Sequence, residues 1–327
     1  MSHSAAAAPA HPPRSLAHLP LPLFAAPMGV GGLGLAWREA GRAFGAPAAV
    51  GEALLALAGL VWIVVFAMHF TRWLRHKEAF VGELKHPIRS AFAGAMTIVL
   101  MIVAGGLIPH APELAATVWI VAVIVHLAIG VWTVRGLLMA PREAATLTPA
   151  LLIPLVGNIL APVFGARLGF VPTSWALFGI GALLWAMVQP LILGRLINGP
   201  PLMERLRPML VILLAPPSVG AIALATLTGG WGPAALAVYG LAAFMAVVLL
   251  TFAPAYARMK FAMSWWGWTF PSAAFAVATL GVAHASGSAV FAALGWAALA
   301  IATVVVTVVS VATLRAAAAG HLLLPEG

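Results

Sequence analysis

The stretch Pro208-Met-Leu-Val-Ile-Leu-Leu-Ala-Pro-Pro-Ser-Val-Gly-Ala-Ile-Ala-Leu-Ala-Thr-Leu-Thr228 is almost wholly apolar, yet two adjacent prolines, Pro216 and Pro217, sit near its middle. A helix of roughly 20 apolar residues crosses a bilayer core, and this stretch has that length. Proline removes a helical N–H, and its ring collides with the preceding turn, so the span must kink or unwind there. In lipid, backbone groups freed in this way are tolerated only where protein buries them or where they line a cavity. A span of this kind belongs inside a membrane protein, with Ser218 and nearby backbone groups available to line a lumen.

Working outward, comparable runs lie near 19–37, 48–71, 88–108, 114–138, 149–168, 172–194, 208–228, 232–252, 265–284 and 288–314, which predicts an all-α protein with ten transmembrane helices. Spans one, five, seven and nine carry mid-span prolines: Pro27, Pro154, the Pro216–Pro217 pair and Pro271. Span three has none, and the even spans have only Pro190, near the end of span six. The alternation predicts an inner set of odd spans around a conduit and an outer set of even spans facing lipid. Connections after spans three, five, seven and nine (109–113, 169–171, 229–231 and 285–287) are short, whereas those after the even spans are longer and charged. Short connections join antiparallel neighbours, so the chain reads as five helical hairpins. The flanks, 1–18 and 316–327, are expected to be tails, the first of them disordered, around a channel domain at 19–315.

Composition agrees. Of 327 residues, 63% are hydrophobic and only 8% charged, against roughly 25% charged in a soluble domain. Fourteen Lys and Arg residues fall on the side of the termini and the loops after even spans, whereas Arg38, Arg42 and Arg167 alone fall on the other. Lys and Arg excess marks the cytoplasmic side. Both termini are therefore expected in the cytoplasm of a bacterial-type inner membrane, and the net charge of +9 reflects topology rather than a nucleic-acid partner.

The eight acidic residues are all glutamates, and none lies near the middle of a span. Proton-coupled carriers and cation pathways use buried carboxylates, so their absence favours small anions as the transported species. Membrane asparagine and glycine, here Gly157 and Asn158 in span five and Gly29 in span one, serve either helix packing or a pore lining. Phe24 lies on a face next to that of Pro27. The segment Ser264-Trp-Trp-Gly-Trp-Thr-Phe-Pro271 opens span nine with an interfacial tryptophan cluster and sets Phe270 immediately before a kink. From the residues alone, Phe270 reads as a packing residue; the alternative is a pore-facing side chain that closes a narrow lumen by filling and dewetting it. His126, in the middle of span four, reads as a hydrogen-bonded structural residue. No nucleotide loop, zinc signature, nucleophile elbow or cysteine is present, so no catalytic residue, metal or cofactor is expected.

Five motifs, in order and on the odd spans, carry a resemblance: Leu23-Phe-Ala-Ala-Pro-Met-Gly29, His86-Pro-Ile-Arg-Ser-Ala-Phe92, Val156-Gly-Asn158, Ala215-Pro-Pro-Ser-Val219 and Trp265-Trp-Gly-Trp-Thr-Phe-Pro271. The chain resembles the tellurite-resistance/dicarboxylate transporter family, which includes plant slow anion channels. The resemblance implies inner helices around a pseudo-fivefold pore, a homotrimer with one pore per protomer, and a pore-plugging phenylalanine at the position of Phe270. Phe24 and Phe92 are similar to other pore-lining aromatics of the family, whereas span seven lacks a phenylalanine. The expected activity is an anion channel; the alternative is a coupled carrier for C4-dicarboxylates, sulfite or tellurite-related anions.

Overall fold

The computed structural model describes residues 14–140 and 143–324; residues 1–13 and 325–327 of the two expected tails, and Arg142 of the charge count, lie outside the described residues. All regular structure among the described residues is helical. In chain order the α-helices are α1 (Ala25–Phe44), α2 (Ala48–Arg75), α3 (Lys77–Leu84), α4 (Ala93–Leu107), α5 (Pro112–Met139), α6 (Leu152–Val156), α7 (Ala161–Gly165), α8 (Val171–Asn198), α9 (Ala215–Leu227), α10 (Pro233–Leu250), α11 (Ala253–Tyr256), α12 (Trp266–Ser286) and α13 (Ala289–Ala318).

Seven described segments are long and apolar enough to cross a membrane: Ala48–Arg75, Arg89–Leu107, Pro112–Met139, Val171–Asn198, Glu204–Leu227, Pro233–Leu250 and Ala289–Ala318. The chain is a multi-pass membrane protein. The other three spans read from the sequence fall on α1, α12 and Pro149–Gly165. The first carries Arg38, Glu39 and Arg42 in its last third, the second mixes Trp, Thr, Ser and His among its alanines, and the third is short.

Two kinds of segment alternate. Helices α2, α5, α8, α10 and α13 are continuous, and Pro190 leaves α8 unbroken. The segments between them change helix type along their length. A 3₁₀ turn runs into α1 (Leu21–Phe24), into α4 (Arg89–Phe92) and into α12 (Met263–Trp265), and an eleven-residue 3₁₀ stretch (Glu204–Leu214) runs into α9. The 149–165 segment is broken twice, with 3₁₀ turns at Pro149–Leu151 and Gly157–Leu160. Proline explains where most of these changes fall. Pro27, Pro154, Pro216 and Pro217 lie in the first turn of α1, α6 and α9, where a missing N–H costs no α-helical bond, and Pro271 lies within α12. Span three breaks without a proline of its own. At its break a Cβ on Gly94 would stand 2.9 Å from Cα of Pro154, so the backbone of the neighbouring segment fills that place.

Burial follows the same division. Between 22% and 33% of the core windows of the continuous helices is buried, against 67% for Arg89–Leu107 and Glu204–Leu227. Leu60, Ile124, Leu183, Val247 and Val304 are among the apolar side chains that the continuous helices expose. The interrupted segments pack in a closed ring: α1 on α4, α4 on α6 and α7, α7 on α9, α9 on α12, and α12 back on α1. Each continuous helix packs against the interrupted segment before it.

Glycine permits the closest approaches, as is usual between membrane helices. A Cβ on Gly29 would lie 2.1 Å from Oγ1 of Thr269, and one on Gly51 would lie 2.8 Å from the backbone nitrogen of Arg38. Left-handed Gly45 (φ 71°) ends α1 and left-handed Gly287 (φ 63°) ends α12, conformations that cost a side-chain-bearing residue steric strain. At the opposite end, Arg72 of α2 and Glu83 of α3 form a buried ion pair. The other Glu83 oxygen accepts from the Leu21 N–H at 3.0 Å, tying both helices to the entry of α1. Residues 14–18, within the expected N-terminal tail, pair with the other terminus: Ser15 N–H donates to Leu323 O at 3.0 Å and Arg14 to Ala319 O at 2.8 Å.

Candidate functional site

Two cavities lie inside the ring. The smaller, about 50 Å³, is lined among others by Ala25, Met28, Phe92, Val156, Gly157, Pro216, Trp266, Phe270 and Pro271. The larger, about 660 Å³, opens toward Arg38, Arg42, Arg167, Trp231 and His284. Every interrupted segment contributes lining to both, and no continuous helix contributes to either. Three residues line both cavities and so stand at their junction: Leu160, Val219 and Phe270. The Phe270 ring rests on the α1 backbone, since a Cβ on Gly32 would come 2.9 Å from its Cδ2. Three apolar side chains from three segments thus border both cavities.

Different ends of the same segments border the two cavities. The first turns of α1, α9 and α12 (Ala25, Ala215, Trp266) and Phe92 at the entry of α4 border the small cavity. The last turns of α1, α4, α9 and α12 (Arg42, Gly105, Thr226, Ala285) border the large one. Helix C-termini, with their unbonded carbonyls, carry partial negative charge. Arginine answers the negative end directly. Arg38 donates to Gly105 O at 3.0 Å and Gly106 O at 3.1 Å, while its Nε and Nη2 meet the two Glu52 oxygens at 2.8 and 2.6 Å.

The expected pore residues divide between cavity wall and helix packing. Phe92, Gly157, Pro216, Phe270 and Pro271 line the small cavity. Outside both linings stand Phe24, Pro27, Gly29, Pro154, Asn158, Pro217 and Ser218. Phe24 stacks on His69 of α2 with ring centroids 4.9 Å apart. Pro154 packs on Gly94, and Gly29 on Thr269. Ser218 Oγ donates to Leu214 O at 2.8 Å, and Asn158 is buried. His126 is fully buried, with Nδ1 2.7 Å from Thr97 Oγ1, whose own proton goes to Gly94 O at 2.9 Å.

Sequence reasoning did not single out Leu160 and Val219, because aliphatic residues in apolar spans carry no local mark. The three vestibule arginines did carry one. They are the whole basic content of one side of the membrane reading, and all three line the same cavity.

The interrupted segments form a closed ring that holds both cavities, and continuous apolar helices jacket it. The chain belongs to the voltage-dependent anion channel family (SLAC1), whose profile matches residues 18–314. The guard cell S-type anion channel SLAC1 of Arabidopsis thaliana is 26% identical over 283 residues, covering 82% of this chain and 50% of that protein. The S-type anion channel SLAH2 of the same plant is 24% identical over 277 residues, covering 81% and 53%. A tellurite resistance protein TehA homologue of Haemophilus influenzae is 27% identical over 200 residues, 61% of each chain. The chain spans about half the length of these plant relatives. The family is one of channels and not of enzymes.

Proposed function

We propose that this chain is an anion channel in which small anions pass through the ring of interrupted segments, and that Phe270 is its gate. The observation that carries this reading is the junction of the two cavities at Phe270, Leu160 and Val219. An apolar constriction of this kind gates by dewetting. The absence of mid-span carboxylates favours anions over cations. With the 149–165 segment counted as a span, the topology is ten transmembrane helices in five hairpins with pseudo-fivefold symmetry. Both termini then lie in the cytoplasm of a bacterial inner membrane, and the vestibule faces away from it. The exposed apolar faces of the continuous helices meet lipid and the neighbours of a homotrimer.

The test is single-channel recording of the purified protein in planar bilayers, with chloride, nitrate, malate and tellurite in turn. Unitary currents that reverse at the anion potential are expected with chloride and nitrate. Saturable counter-transport without unitary currents would instead establish the coupled-carrier reading, for which the tellurite resistance relative supplies the reason to include tellurite.

A further inference from the structure

The charged side chains lining the large cavity are three arginines, Arg38, Arg42 and Arg167, and one glutamate, Glu39. Two of the arginines are spoken for. Arg38 is held by Glu52 and by the carbonyls of Gly105 and Gly106. Arg42 donates from Nε to Glu39 at 3.0 Å and from Nη2 at 2.5 Å. Arg167 differs: among the described residues its side chain makes no ion pair and no hydrogen bond. It leaves the end of α7 on the turn that leads to Gly169, exposed along the cavity wall.

We propose that Arg167 is an anion-capture site, where a small monovalent anion is held in the vestibule before it meets Phe270. The inference rests on the anion-channel reading above, and it assigns the entry step to one residue. A guanidinium offers five N–H donors in a planar fork, which suits both a halide and a planar oxyanion such as nitrate. Its surroundings leave it short of counter-charge. Glu39, the carboxylate that lines this cavity with it, is already paired with Arg42. An arriving anion relieves that deficit. The site also decides the sign of the mouth, because helix C-termini bring partial negative charge to this cavity and Arg38 and Arg42 are already paired.

Trp231 lines the same cavity and reports on it, because iodide quenches tryptophan fluorescence on contact. The experiment measures iodide quenching of the full chain in detergent at low ionic strength. Trp231→Phe backgrounds isolate the part due to that residue, and chloride currents are recorded in parallel. Arg167→Gln is expected to cut the Trp231-dependent quenching about three- to fivefold, the effect of one unit charge at about 4 Å in water. Arg167→Lys should restore most of it, and 1 M sodium fluoride should abolish the difference, since the Debye length there is about 3 Å. Unchanged quenching in Arg167→Gln, or a loss that persists in high salt, overturns the capture site. Absence of current in the wild type, with salt-sensitive quenching intact, counts against the channel reading alone.

Discussion

Removing the Phe270 ring tests the constriction most directly. The ring is 7% exposed and separates cavities of about 50 and 660 Å³, with Leu160 and Val219 beside it. The smaller cavity has room for only a few waters, and its apolar lining keeps it dry. An anion entering it must shed hydration, and the ring leaves no space for water to follow. In Phe270→Ala the opening persists, because the surface behind the ring is Gly32, which has no side chain to fill the gap. Recovery of even about 1.4 kcal/mol of the lost hydration raises conductance about tenfold. Truncating a buried phenylalanine costs about 3–5 kcal/mol of stability; the lower end is expected, since the ring already borders empty space on two sides. The assay is chloride conductance in planar bilayers, with melting in detergent to establish that the variants are folded. Phe270→Leu should fall between wild type and Phe270→Ala. Equal conductance in folded Phe270→Ala and wild type would refute the gate and the dewetting argument together.

The remaining expectations concern the frame that holds the conduit. Gly94→Ala sets a methyl 2.9 Å from the Pro154 backbone, which cannot rotate away, and should cost about 1–3 kcal/mol by detergent melting. Gly82→Ala, in open space on α3, is the control and should be neutral or slightly stabilising; identical melts for the two would remove the claim that the Pro154 backbone fills the place beside Gly94. Glu83→Gln leaves Arg72, whose side chain is 4% exposed, without its counter-charge, and should lower stability by about 3–5 kcal/mol; a wild-type melt would contradict it. His86 Nδ1 accepts from the N–H groups of Ile88 and Arg89 at 3.1 Å each, and the His86 pKa is lowered by burial, then by Arg89. The folded state therefore favours neutral imidazole, a contribution complete above about pH 6.5 and lost as pH falls through the lowered value. Melting temperature should drop on acidification by more in wild type than in His86→Asn, and parallel curves would exclude the effect.

How much of this was legible in the sequence depended on whether a residue's effect is local. Proline acts on its own backbone, so Pro27, Pro154, Pro216, Pro217 and Pro271 marked four of the five interrupted segments without any knowledge of packing. For the prolines, the reading erred in picturing kinks near the middle of helices. Pro27, Pro154, Pro216 and Pro217 instead stand in the first turn of an α-helix that follows 3₁₀ backbone, where their missing N–H is harmless. Span three shows the limit of local reading. Its break is matched by Pro154, some 60 positions from Gly94, and glycine alone carries no sign of which backbone it will meet. The constriction is further out of reach, because Leu160, Val219 and Phe270 belong to different segments and converge only when the ring closes.

The arginines mark a different boundary. The sequence sorted Arg38, Arg42 and Arg167 by side of the membrane, and that topological reading left their side chains without further work. Yet a side of the membrane with so little basic charge has no need of three arginines in one cavity. Two of them answer local demands: Arg38 caps the carbonyls that end α4, and Arg42 neutralises Glu39 one turn away. Neither demand applies to Arg167. A cation that neither caps a helix nor pairs with an acid contributes little to the fold, so its value lies in what it presents to the lumen. Substitution there should accordingly change anion entry at low salt while leaving the melting temperature of the chain where it was.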